Sequence, residues 1–260
     1  MPVMATAGRD ADMSLYNTCH MPAGRDRSAR DTLVAIGGGL LFAGSLGYFG
    51  WQYLHGFDAQ PAPGAHAASA VAPDILLFSL FALHHSLFAR TGLKAAVTRT
   101  VSPSLERSVY VWIASLLFIG VCAWWQPVAG IAWHVTGWPA GLLLALQAAG
   151  GVFTLVAARH LDVLELAGVR QALRLPLTRA SGLDDHGPYG LVRHPIYFAW
   201  LLLVWPAPLM NGTRLVFATI STIYLLVAIP YEERDLRRQF GAAYDDYSRK
   251  VPWRLLPRIY

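Results

Sequence analysis

Two short blocks hold most of the chemistry available to this chain. The first is Gly187-Pro188-Tyr189-Gly190-Leu191-Val192-Arg193-His194-Pro195-Ile196-Tyr197. The second is Glu232-Glu233-Arg234-Asp235-Leu236, continuing to Phe240-Gly241 and Tyr244-Asp245-Asp246-Tyr247. His194 and Tyr197 stand three apart, which puts them on one face of a first helical turn. Pro195 suits an early helix position, where its missing N–H goes unneeded. Singly, each feature has a plain structural reading. Arg193-His194 can anchor a membrane surface, Glu232 and Glu233 can be solvated, and Leu236, Phe240, Tyr244 and Tyr247 form an i, i+4, i+8, i+11 packing stripe. The conjunction says more. An acidic pair beside a membrane surface opposes the local preference for positive charge, so it calls for a cationic partner or ligand. Aromatic faces such as Tyr189 and Tyr197 add to a cation site. His194 and the free amides of a helix start can take a carboxylate or a hydroxyl.

The elements that must position these blocks are membrane spans. Charged residues make up 14% of the 260 and mean hydropathy is +0.38, against about 25% charged in soluble domains. Disordered, collagen-like and ordinary soluble classes are excluded. Cys19 and Cys122 are too few for a disulfide scaffold or a Cys-rich metal site, and no metal site is expected. The net charge of +5 is explained by where the charges lie, so no nucleic-acid partner is expected.

Residues 33–54 carry no charge and are long enough to cross a ~30 Å hydrocarbon core. Residues 75–89 form a shorter span carrying His84 and His85. Residues 108–158 are charge-free throughout and divide at Gln126-Pro127 and Trp133-to-Pro139 into spans at 109–125 and 140–158. A fifth span runs from Ile196 towards Met210, interrupted by Pro206 and Pro208, and is a kinked or re-entrant candidate. A sixth covers 215–231, with the Asn211-Gly212 turn signal before it. The loop at 59–73 is non-cytoplasmic. Of the 21 Lys and Arg residues, all but Arg214 fall on alternate sides consistent with one face. Trp51, Tyr53, Trp124, Trp125, Trp133 and Trp138 are expected as an aromatic belt at the opposite interface. The expectation is an all-α, polytopic integral membrane protein of about six transmembrane helices, five if the Pro-interrupted span is re-entrant, with both termini cytoplasmic. Residues 1–31 read as a disordered cytoplasmic extension and 32–260 as one membrane domain. The last two spans are antiparallel neighbours, so the two blocks meet at one cytoplasmic site within 181–252.

The pattern Gly-Pro-Tyr-x-x-Val-Arg-His-Pro-x-Tyr, with Glu-Glu-x-x-Leu-x-x-x-Phe-Gly-x-x-Tyr-x-x-Tyr and Val251-Pro252, resembles the isoprenylcysteine carboxyl methyltransferase family and its phospholipid methyltransferase relatives. The middle of the chain is similar to the NnrU-type branch of that family, through His84-His85-Ser86-Leu87-Phe88-Ala89-Arg90, Leu105-Glu106-Arg107-Ser108-x-Tyr110, Trp125-Gln126-Pro127, His160-Leu161-Asp162 and Gly168-Val169-Arg170-Gln171. That branch includes bacterial methanethiol S-methyltransferases. The resemblance implies an enzyme of the bacterial inner membrane that uses S-adenosyl-L-methionine and converts the small thiol methanethiol to dimethyl sulfide. It assigns cofactor contacts to Tyr189, His194, Pro195, Ile196, Tyr197 and Glu232, and Glu233, the second of the acidic pair, is a further cofactor-binding candidate. Arg193 and His194 are the catalytic candidates, as positive charge favouring a thiolate. Prenylcysteine enzymes carry a substrate-binding arginine one helical turn before the glutamate. Here Ala228 stands in that place, and Pro230-Tyr231 precede the pair, which argues against a prenylcysteine acceptor. Two alternatives stay open: a haem-binding isomerase using His84, His85 or His160, as some NnrU relatives are, and a non-catalytic membrane factor. His84 and His85 point about 100° apart on a helix, which argues against a shared metal.

Overall fold

Charge-free length sets the frame of the molecule. The computed structural model describes residues 29–64, 66–87, 105–161, 164, 167–173 and 183–260. Residues 1–28 of the N-terminal extension, most of the basic loop after the second span, and Asp162 lie outside the described residues, while residues 29–31, placed in the extension, are the first turn of a helix. Five helices are long and apolar enough to cross a membrane: α1 (Ala29–Leu54), α2 (Ala67–Leu87), α3 (Glu106–Trp124), α4 (Trp138–Arg159) and α8 (Gly212–Phe240). A strand, β1 (Ile131–His134), links α3 to α4. Short helices α5 (Val169–Ala172) and α6 (Pro188–Leu191) lead to α7 (Pro195–Val204), then β2 (Leu209–Asn211), α8 and finally α9 (Ala242–Lys250).

The fifth span departs from a full helix. α7 has 10 residues, about 15 Å of rise, and stops before Pro206 and Pro208, whose rings remove donors and clash with the preceding turn. The chain finishes its passage in extended form as β2, which pairs antiparallel with β1. Backbone freed inside such a bundle must find other partners, and here it does. Gln147 Nε2 donates to the Leu203 carbonyl at 2.8 Å and Trp133 Nε1 to that of Ala207 at 2.8 Å. The Tyr53 hydroxyl donates to the Val204 carbonyl, and the Val135 N–H to that of Pro208 at 2.9 Å. The fold is therefore helical with one two-stranded patch.

Two further expectations are corrected. The loop placed at 59–73 ends early: α2 begins at Ala67 and holds Pro73 within it, since alanine-rich turns favour helix and one proline removes a single donor. Asp74 thereby becomes a buried helical residue, its Oδ1 accepting from the Gln126 N–H at 2.8 Å. The aromatic belt is also divided. Trp51, Trp124 and Trp138 are exposed, whereas Tyr53 and Trp125 are buried in an aromatic core. Phe217 on α8 is the hub of that core, 5.1–5.5 Å from the rings of Trp125, Phe57 and Phe49.

Arg214, the exception to the charge rule, has a structural explanation. It is buried at the end of the bundle that holds β1 and β2. Its Nη2 lies 3.1 Å from Asp58 Oδ2 and 3.0 Å from the Tyr53 carbonyl, and Nη1 also bonds Asp58 Oδ1. Asn211 caps α8 by accepting from the Arg214 N–H at 2.9 Å. Gly212 is required because a Cβ there would lie 2.5 Å from the Ala129 carbonyl oxygen.

Candidate active site

At the opposite end, the start of α7 meets the far end of α8. Val192-Arg193 is extended and His194 is the N-cap of α7. The Arg193 and His194 N–H groups donate to the carbonyls of Trp253 and Arg254, both at 2.9 Å, so the chain beyond α9 runs beside the motif. Arg193 is buried. Its Nε lies 2.8 Å from Glu233 Oε1, and Nη1 donates to the carbonyls of Val251 at 3.0 Å and Pro252 at 3.1 Å. Arg254 Nε completes the bracket on Glu233 Oε2 at 3.1 Å. Two arginines thus hold one carboxylate in the charge-assisted geometry that such pairs favour.

Glu232 faces the other way. The Tyr197 hydroxyl donates to its Oε1, and His194 Nδ1 lies 3.4 Å from Oε2. His194 Nε2 is 3.5 Å from Glu233 Oε1. That is ion-pair distance but too long and misaligned for a hydrogen bond, so Nε2 is buried without a hydrogen-bond partner. Burial on its own would lower the pKa of His194. The Glu232 and Glu233 carboxylates overcome this and raise it above the usual histidine value. His194 stacks on Tyr197 with ring centroids 5.4 Å apart, as their spacing of three requires.

Tyr189, Arg193, His194, Pro195, Ile196, Tyr197, Glu232 and Leu236 line a small cleft. Glu233 stands behind it, tied to both arginines. The Tyr189 hydroxyl is buried with no hydrogen-bond partner, and burial raises its pKa well above the usual tyrosine value. Leu236, Phe240, Tyr244 and Tyr247 pack on Tyr189, Leu161 and Val251, so their stripe faces protein. The Tyr247 hydroxyl donates to the Tyr189 carbonyl at 2.8 Å. Arg254 is one of two arginines, with Arg258, in an aperiodic tail and belongs to neither motif block. Its one visible signal is Val251-Pro252, which ends α9 and turns the chain back. The histidines offered as haem ligands are engaged elsewhere: His84 Nε2 lies 3.5 Å from the Tyr110 carbonyl oxygen, His85 Nδ1 lies 2.9 Å from the Tyr110 hydroxyl, and His160 Nδ1 lies 2.8 Å from Asp184 Oδ2. Among the described residues, no group of three or more His, Cys, Asp or Glu side chains is placed to hold a metal ion.

The molecule is a multi-pass integral membrane protein with a polar cleft at one end of its helices, walled by a carboxylate, an imidazole and two tyrosines. Comparison with known proteins makes the class specific. The chain belongs to the methanethiol S-methyltransferase family and is a membrane methyltransferase. It is 34% identical over 222 residues to methanethiol S-methyltransferase 2 of Bradyrhizobium diazoefficiens, covering 84% of this chain and 85% of that one. The Mycobacterium tuberculosis methanethiol S-methyltransferase is 37% identical over 201 residues, covering 74% and 82%. Nurim of Xenopus laevis is 31% identical over 192 residues, covering 68% and 67%. The profile of the ergosterol biosynthesis ERG4/ERG24 family matches residues 168–260, the segment that carries the cleft. No solved structure matches.

Proposed function

We propose that this protein transfers a methyl group from S-adenosyl-L-methionine to methanethiol, giving dimethyl sulfide, in the inner membrane of a bacterium with the cleft and both termini on the cytoplasmic side. The observation that carries the donor assignment is the buried Tyr189 hydroxyl, which has no hydrogen-bond partner, in one cleft with the Glu232 carboxylate. Buried polar atoms without partners mark a place where a ligand completes the hydrogen bonding. A donor carrying a sulfonium, an ammonium, a carboxylate and hydroxyls offers complements to both.

When bound, S-adenosyl-L-methionine supplies an electrophilic methyl group. Glu232 and the Tyr197 ring hold its positive charge, Tyr189 and His194 its polar groups, and Pro195-Ile196 present the first turn of α7 to it. Glu233 and Arg193 act one step back: the Arg193–Glu233–Arg254 bracket fixes the backbone of His194. His194, whose charged form the Glu232 and Glu233 carboxylates favour, would lend positive potential that favours a thiolate over a thiol. Catalysis of such a displacement is largely positioning, which suits a site with this much fixed structure. A small thiol has no carboxylate to clamp, and Ala228 on α8 offers no charge for one.

The test uses the full chain purified into lipid nanodiscs, labelled S-adenosyl-L-methionine, and a panel of methanethiol, phosphatidylethanolamine and a prenylcysteine. Dimethyl sulfide in the headspace is expected from methanethiol alone, with donor binding weakened at least tenfold in Glu232→Gln. Methylation of phosphatidylethanolamine or the prenylcysteine in place of methanethiol overturns the acceptor. Unchanged donor affinity in Glu232→Gln removes that residue from the donor site.

A further inference from the structure

The His84-His85-Ser86 run on α2 and Tyr110 on α3 take no part in the cleft, yet the bundle sets them against its inner wall. The Tyr110 hydroxyl lies 2.9 Å from His85 Nδ1 and 3.2 Å from the His85 carbonyl oxygen. One helix away, Ser86 Oγ lies 3.1 Å from the Tyr224 hydroxyl of α8. Tyr197 of α7 bonds Glu232. The hydroxyls of Tyr110, Tyr197 and Tyr224 and the Glu232 carboxylate are all within electrostatic reach of one another. Four helices therefore converge polar groups on one place at membrane level. The other charged or titratable groups facing Tyr110 are Arg107 on its own helix and His84 on α2. Apolar rings finish the surroundings: Phe81 stacks on His85 at 5.5 Å and Phe78 meets Tyr224 edge-on at 5.9 Å. Polar side chains gathered inside a bilayer-spanning bundle mark a substrate or proton path. This gathering shares Tyr197 and Glu232 with the cleft.

We propose that this cluster is the acceptor subsite, with Tyr110 as the group that takes the proton of the thiol and His85 as the positioning residue that receives it in turn. The inference rests on thiol methylation as read above and names the base that reading leaves unassigned. As the thiol S–H bond breaks, its proton passes to the Tyr110 oxygen while the Tyr110 proton passes to His85 Nδ1. The freed sulfur electron pair forms the new S–C bond to the transferred methyl group. The pair of the broken donor C–S bond stays with the donor sulfur, which becomes a neutral thioether. The His85 imidazolium then releases its proton to solvent. No oxidant or metal is needed.

A selenol is a far stronger acid than the matching thiol and is already ionised at neutral pH, so it needs no base. Wild type, Tyr110→Phe and His85→Gln are assayed in nanodiscs with methanethiol and with methaneselenol, and S-adenosyl-L-methionine binding is measured separately by calorimetry. Loss of a positioned general base costs about 10²-fold or more. Both variants are expected to lose roughly that much kcat on methanethiol while keeping donor affinity and selenol turnover close to wild type. Equal losses on thiol and selenol, or thiol turnover close to wild type, overturn the proposal. Should Tyr110→Phe fail to bind the donor, His85→Gln decides by the same criteria. Wild type that binds the donor yet methylates neither acceptor overturns thiol methylation itself, an outcome visible before any variant is made.

Discussion

Gly187 sits so close to His160 that a Cβ at position 187 would lie 2.9 Å from the imidazole Nε2. The same glycine has φ +57°, in the region that side chains disfavour. It is the N-cap of α6, directly before the Pro188-Tyr189 wall of the cleft. Gly187→Ala is therefore expected to cost ~1–3 kcal/mol through backbone strain and crowding. It should also weaken donor binding, because Tyr189 moves with its helix. A thermal melt with and without donor checks both effects, and an unshifted melt would contradict the close approach.

The pH dependence of stability follows from His194. Its pKa is raised in the folded protein by Glu232 and Glu233 in spite of burial. A raised folded pKa stabilises the fold fully below the unfolded value, about 6.5, and the contribution is lost as pH climbs through the folded value. The melting temperature of wild type should fall as pH rises from about 6.5 through the folded value. His194→Gln should lack that component of the decline. Parallel profiles for the two proteins would show that His194 is not charged at neutrality.

At the other end of the bundle, Arg214→Leu leaves the Tyr53 carbonyl without its donor and Asp58 without its cation. Breaking a fully buried pair costs 3–5 kcal/mol, but Asp58 is half-exposed and water takes over part of its solvation, so ~2 kcal/mol is expected. Donor affinity should stay as it is, because the cleft lies at the far end. Calorimetry together with denaturation separates the two quantities. A loss of donor affinity would show that the ends are coupled.

Adjacent glycines on α4 make a matched pair. A Cβ on Gly150 would stand 2.9 Å from the Ala199 carbonyl oxygen and from the Leu203 nitrogen, whereas Gly151 has nothing within 4 Å. Gly150→Ala must push α4 off α7 and is expected to cost ~1–3 kcal/mol. Gly151→Ala should be neutral or mildly stabilising, since alanine is the better helix former by about 1 kcal/mol. Equal effects from the two would contradict the packing of α4 on α7.

Much of the architecture is legible in the sequence because a bilayer imposes length and charge rules that soluble proteins escape. Residues 33–54 and 215–231 announce α1 and α8 by lacking charge, and Pro206 and Pro208 announce that α7 stops. β1 is not legible. Ile131–His134 is a strand only because β2, cut loose from helix by the prolines, needs backbone partners. Tyr53 and Trp125 look like interface aromatics and are core residues instead, since periodicity cannot tell a helix face turned to protein from one turned to lipid. The meeting of Arg193-His194 with Glu232-Glu233 follows from antiparallel neighbours. The part played by Arg254 does not, because it depends on backbone pairing between residues 60 positions apart that no local pattern encodes.

The bracket on Glu233 also sets an order in time. A nascent chain that has emerged as far as Phe240 already carries all five long helices and can pack them as the ribosome continues. It still lacks the Val251 and Pro252 carbonyls that hold Arg193, and the Arg254 guanidinium that holds Glu233. The membrane scaffold can therefore be inserted and checked first, while the cleft closes only when residues 251–254 have been delivered. A ribosome stalled before Val251 would leave an inserted bundle with its cleft unfinished.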